Sequence, residues 1–178
     1  LEFMKHIWTA AAGNDLLNKV LLKTRPYAAD RQEAERLYIR ARDRWCQAIE
    51  SRAGLDELCH LMSLLGSEFA TLKRSGPSIR PRIGIVGEIY VRSHDYSNAN
   101  LIRRLEELGA ECELAPLAEW IYYVDTMDKD EAWRRREFRK YFESAFTLRY
   151  QHGVERKIAA PLEKRFGKLA EDSVEHTL

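Results

Sequence analysis

The chain is poor in the residues and patterns that usually announce a function. It has three cysteines, Cys46, Cys59 and Cys112, with no pair in Cys-x-x-Cys spacing. An odd count without that spacing argues against a disulfide framework and against a zinc site, and the thiols are expected to be buried. No apolar run approaches the roughly 20 residues needed to span a bilayer, and the first residues lack the pattern of a secretory signal. A cytoplasmic, membrane-free location is the expectation. Charge of one sign is also missing: 29 basic residues stand against 28 acidic ones, for a net charge of +1. Such a balance offers no electrostatic reason to bind nucleic acid. Neither G-x-G-x-x-G nor G-x-x-x-x-G-K-[ST] occurs. No serine-histidine-acid, cysteine-histidine or two-histidine arrangement can be picked out, so no catalytic residue and no metal ligand is named.

What is present is an organised helical pattern around one β-rich stretch. Leu1-Glu2-Phe3 ahead of Met4 reads as a cloning remnant. Residues 4–72 form a helical segment. Within it, residues 15–23 predict a short amphipathic helix capped by Asp15 and stopped at Arg25-Pro26-Tyr27, because proline disfavours helix in the residue before it. Asp30 and Glu33 then open a long helix to about Arg52, with Ala34, Leu37, Ala41, Trp45 and Ala48 on one face. Gly54 separates it from a second stripe, Leu55, Leu58, Met62, Leu65 and Phe69. His60, beside Cys59, reads as structural rather than as a ligand. Residues 73–82, with two prolines, serine and glycine, are a linker.

From Ile83 the pattern changes. Ile83, Ile85, Val86, Ile89 and Val91 predict a strand, followed by polar residues that can open a helix over Leu101, Leu105 and Leu108, with Gly109 as its stop. Glu111 to Ala115 reads as a second strand ended by Pro116. Strand, helix and strand in this order predict a Rossmann-like βαβ unit with parallel strands, so the fold class is α/β, a partial parallel sheet packed with several helices and helix-rich overall. Leu117 to Val124 is compatible with a short helix or an extended segment. Beyond Asp130, one helix carrying Trp133, Phe138, Tyr141, Phe142, Ala145 and Phe146 and another after Gly153, carrying Val154, Ile158, Leu162, Phe166 and Leu169, are expected, with the aromatics in the core. A two-stranded parallel sheet does not stand alone. That, and the closing E-D-S-V-E-H-T-L, make residues 83–178 read as a truncated part of a larger protein.

Open α/β sheets bind ligands beyond the carboxyl ends of their strands. The candidates there are Glu88 and Tyr90 as hydrogen-bonding groups in a cleft, and Ser97 and Asn98 at a helix start that, with Arg92 and Arg103 nearby, could hold an anion. The alternative reading is a Glu88–Arg92 salt bridge with Ser97 and Asn98 acting as caps.

The string R-I-G-I-V-G-E-I-Y-V-R-S-H-D-Y-S-N-A-N-L-I-R-R-L-E-E-L-G-A-E, followed by L-A-P-L-A-E-W-I-Y-Y, resembles the 2-hydroxyglutaryl-CoA dehydratase component-D-like domain attached to large CoA-substrate-specific enzyme activases. The likeness is specific from Arg82 to Tyr123, looser from Asp15 to Leu72, and only a helical pattern from Asp130 onward. It implies a parent protein of anaerobic metabolism that uses ATP and an iron-sulfur cluster to drive an electron to an acyl-CoA enzyme. Other domains of that parent and CoA or an acyl-CoA are the implied partners. The chain carries no ATPase motif and no matching cysteine pattern, so the fragment itself is expected to hold no cofactor and to be non-catalytic. What transfers is Gly87 to Arg92 and Glu119 to Tyr122, which adds Glu119 and Tyr122 to the candidates. Two other expectations stand beside this one: a CoA or nucleotide-binding module, and a helical module that forms a homodimer through residues 130–170.

Overall fold

A computed structural model describes residues 2–171, with side chains from Met4 onward. The remnant's side chains and most of the closing E-D-S-V-E-H-T-L lie outside the described residues. Helix α1, Glu2–Thr24, runs through the centre of the molecule. Around it pack α2 (Arg31–Glu50), α3 (Leu55–Ala70), α6 (Leu117–Arg134) and α7 (Phe138–Phe166). Two short helices, α4 (Ile89–Ser93) and α5 (Leu101–Glu107), lie between strands β1 (Arg82–Ile85) and β2 (Glu111–Leu114). The strands pair in parallel, with Ile83 opposite Cys112 and Ile85 opposite Leu114. The helix-rich α/β class and the parallel pair therefore hold.

The core is helical. Leu16, Leu17 and Val20 of α1 meet Leu37 and Trp45 of α2, Met62, Leu65 and Phe69 of α3, and Ile158 and Leu162 of α7. Each of these buried side chains contributes about 1.5–3 kcal/mol by leaving water. Leu58, Met62, Leu65 and Phe69 of the second sequence stripe are all buried. Gly54 caps α3, and Asp30 caps α2 by accepting from the Gln32 N–H at 2.8 Å. Pro26 stops α1 as expected, in a single 3-10 turn.

Several local expectations fail, each for a tertiary reason. Helix α1 does not begin at Asp15 but passes straight through Gly13-Asn14-Asp15. Gly13 is needed where it is: a Cβ there would sit 2.1 Å from the Trp45 ring, whose Nε1–H donates to the Ala10 carbonyl at 3.1 Å. Asp15 caps another helix, its carboxylate accepting the Ala118 N–H at the start of α6 at 2.9 Å. The strand expected through Val91 ends at Ile85. Gly87, at φ 139°, turns the chain, and Glu88 caps α4 by accepting the Val91 N–H at 2.7 Å. Along α5 the expected face is inverted: Leu101 and Leu108 are exposed and Glu106 is buried. Leu117 to Val124 is helix, within α6.

Gly153 does not break the last helix, since α7 runs unbroken for 29 residues and also contains Pro161. Proline lacks the N–H that would reach the carbonyl four residues earlier. That carbonyl, of Lys157, instead accepts the Cys59 thiol of α3 at 3.5 Å. Finally, the aromatic stripe is not core: Trp133, Phe138, Phe142 and Phe146 are all exposed. Val154, Ile158 and Leu162, later in the same helix, are buried as expected.

Candidate functional site

The βαβ segment is joined to the helical body by a buried charge network. Arg25, between α1 and α2, donates from Nε to both Glu106 oxygens at 3.2 and 2.9 Å and from Nη2 at 2.9 Å, while its Nη1 reaches Glu35 of α2 at 2.7 Å. Burial disfavours the Arg25 cation, but the hydrogen bonds to Glu106 and Glu35 outweigh it and hold the guanidinium above its ordinary range. Arg103 of α5 meets the same Glu35 oxygen at 2.7 Å, and Arg31 donates to the Glu106 carbonyl at 3.1 Å. Tyr27 completes the joint by donating to Glu111 of β2 at 2.6 Å.

Above this joint, at the carboxyl ends of both strands, lies a cleft of about 490 Å³. Its floor is the end of β2, Leu114 to Pro116, with Ile89 and Arg92 of α4. Its walls come from α1 (Asn14, Asp15, Asn18, Lys19), α2 (Glu35, Tyr38, Arg42) and α5 (Ile102, Arg103). Five cations, Lys19, Arg25, Arg42, Arg92 and Arg103, face three carboxylates, Asp15, Glu35 and Asp95. Burial pushes the Asp15 carboxyl up from its ordinary range, against the lowering effect of the Ala118 N–H. Most cations are already engaged: Lys19 with Glu171 and the Leu169 carbonyl, Arg25 and Arg103 with Glu35. Among the described residues Arg42 pairs with its exposed sequence neighbour Asp43 alone, at 3.3 Å. It is the cleft cation with most to offer an incoming anion.

The seven residues expected at a site do not come together. Of the seven, Arg92 lines the cleft, as does the Arg103 expected near it; Arg92 does so as a clasp, donating to the Gly87 carbonyl at 2.8 Å and the Pro116 carbonyl at 3.2 Å and so tying the turns that follow the two strands. Glu88 is exposed and caps its own helix. The Val91 and Tyr90 N–H groups hold its carboxyl below the usual range. Tyr90 is exposed and stacked on His94 at 4.9 Å. Ser97 bonds His94 Nδ1 at 2.9 Å. Asn98 donates to the Val91 and Arg92 carbonyls and accepts the Leu101 N–H, closing the end of α4 and opening α5. Glu119 is exposed in the first turn of α6. Tyr122 is in the helical core, donating to Glu155 at 2.6 Å and stacked on His152 at 3.9 Å. Burial and the Glu155 carboxylate push its hydroxyl far above the ordinary tyrosine range.

Sequence reasoning missed Arg25, Glu35, Arg42 and Glu106. An arginine before a proline and a glutamate in a row of charges carry no local mark of burial; only the packing of α5 on the turn after α1 makes them meet. The thiols lie on three different elements, Cys46 exposed on α2, Cys59 on α3 and Cys112 buried on β2. Among the described residues no three His, Cys, Asp or Glu side chains converge as a metal site. These residues do not fit an iron-sulfur cluster. No family model, curated protein or solved structure matches the chain.

Proposed function

We propose that the chain is a non-catalytic α/β unit of a CoA-substrate-specific activase or dehydratase-like protein, and that its strand-end cleft holds an anionic ligand of the CoA or nucleotide class. The observation that carries this reading is the cleft's position and charge together. Parallel strands place their ligands at their carboxyl ends, and five cations against three carboxylates line that point here. The likeness of Arg82 to Tyr123 to the dehydratase-like domain supports the choice of CoA, and it supports taking β1, α4, α5 and β2 as the opening of a Rossmann-like sheet. Arg42 meets a phosphate as a planar, permanently charged fork. Arg92 and Asn98 hold the rim in shape.

The test is a thermal-shift titration with CoA, acetyl-CoA and ATP, on the wild type and on Arg42→Ala. A ligand at about 100 times its Kd stabilises by about 2.7 kcal/mol, which for a chain of this size raises Tm by about 5–10 °C. The expected result is a shift with CoA that Arg42→Ala reduces while leaving the unliganded Tm unchanged. No shift at millimolar ligand refutes the reading, and so does a shift that is the same in Arg42→Ala.

A further inference from the structure

Helices α6 and α7 form a hairpin whose far end leaves the body of the protein. Their connection is only Arg135 to Glu137, which sets them side by side and antiparallel. Helix α3 covers the later part of α7, where Gly66 lies against Leu162, and α1 reaches α7 where Trp8 donates to the Gln151 carbonyl. No residue of α7 before Leu148 is buried. Yet this free end is aromatic. Phe138, Phe142 and Phe146 follow at four-residue spacing, 53, 67 and 66% exposed, and Trp133, 59% exposed, packs edge-on against Phe138. The stripe then meets an apolar groove of about 300 Å³ in which Phe146 faces Met4 and Ile7 of α1 and Ile121 of α6.

We infer that this ridge and groove form a self-complementary surface through which two copies of the chain make a two-fold dimer. A two-fold interface uses one patch twice, so the patch must carry both the knob and the hole. With two α7 helices antiparallel and the axis at Phe142, Phe142 meets its own copy and Phe138 of each chain enters the other's groove beside Phe146. Arg139 and Glu143 flank Phe142 and already pair within the helix at 3.2 Å. The antiparallel arrangement sets Arg139 of one copy near Glu143 of the other, on the same side of the seam. The arm as a whole is nearly neutral, with six cations and five carboxylates between Asp128 and Glu143, so a second copy meets no net repulsion. The exposed aromatics with Met4 and Ile7 amount to roughly 600–700 Å², more than a monomer usually leaves open and close to the ~800 Å² that each partner contributes to a stable interface.

The experiment is sedimentation equilibrium on the full chain up to about 0.2 mM, well above the Kd of a specific dimer. The expected mass is twice the 20.8 kDa of one chain. Phe142→Glu, at an exposed position, is expected to keep its helical circular dichroism and to weaken the dimer at least ~30-fold, as loss of a central aromatic anchor does. Arg139→Glu weakens it as well, and adding Glu143→Arg restores it. Ile39→Glu, exposed on α2, leaves the dimer intact. A wild type that stays monomeric overturns the inference, as does a Phe142→Glu protein that dimerises like the wild type or an Arg139→Glu defect that Glu143→Arg does not repair.

Discussion

Replacing Glu106 by glutamine tests the joint that holds the βαβ segment to the helices. The change keeps the size of the side chain but removes the charge facing Arg25, which is 4% exposed and cannot lose its proton. Glu106, 1% exposed, accepts three of the four hydrogen bonds that Arg25 makes to carboxylates; glutamine keeps one accepting oxygen but turns the other into an NH2 that meets the guanidinium donor to donor, and it leaves Glu35, shared with Arg103, as the one negative charge of the network. Removing one partner of a buried ion pair costs about 3–5 kcal/mol. With Glu35 still in place the lower end applies, about 3 kcal/mol, or about 6–12 °C in Tm. Urea unfolding followed by circular dichroism at 222 nm measures it directly, and the slope of the transition should not change. The control is the double variant Arg25→Met, Glu106→Leu, which removes both charges and leaves Glu35 paired with Arg103. Apolar replacement of a buried pair is often neutral, so the double variant is expected nearer the wild type than Glu106→Gln. A loss below about 1 kcal/mol for Glu106→Gln, or a double variant no better than the single one, refutes the account of this network.

Other outcomes follow from the same geometry. Gly13→Ala should destabilise, although alanine favours helix by about 1 kcal/mol, because its Cβ would overlap the Trp45 ring; a net loss of about 1–3 kcal/mol in urea is expected, and a gain in stability would contradict the packing. Asp15→Ala should cost about 1–2 kcal/mol by uncapping α6 across 103 residues, and slower hydrogen exchange at Ala118 than in the wild type would contradict it. Burial holds the Glu155 carboxyl above its ordinary range despite the Tyr122 hydroxyl and the Glu171 N–H. The folded chain therefore keeps this proton to a higher pH than the unfolded one, and the stability it confers is complete below the unfolded value of about 4.3 and is lost as pH rises through the folded value. Glu155→Gln, unable to titrate, should flatten the stability curve across that window, and an unchanged curve would show that the group is not desolvated.

How far the sequence could be read depended on whether a residue's role was local. The stop at Pro26, the Asp30 cap, the stripe from Leu58 to Phe69 and the two strands were legible, because proline geometry, capping and apolar period act within a few residues. The strand-end cleft was legible as a place, through the order of strand, helix and strand. Its lining was not, since Lys19, Arg25 and Arg42 come from helices that only packing brings over β2.

The sequence by itself determined the helix-rich α/β class, the parallel pairing of β1 with β2 and the α2–α3 core faces, all of which follow from periodicity, turn residues and the length of a crossover. Tertiary structure decided what becomes of the exceptions. Gly13, inside α1, is the space that Trp45 fills; Asp15 looked like the cap of its own helix and caps another; Glu106, beside the exposed Glu107, is buried against Arg25. The aromatic stripe from Trp133 to Phe146 has the period of a core face and is exposed on the single chain, because no helix among the described residues crosses that end of the hairpin. A period states which residues share a face. What that face meets is settled only by where the rest of the chain has room to go.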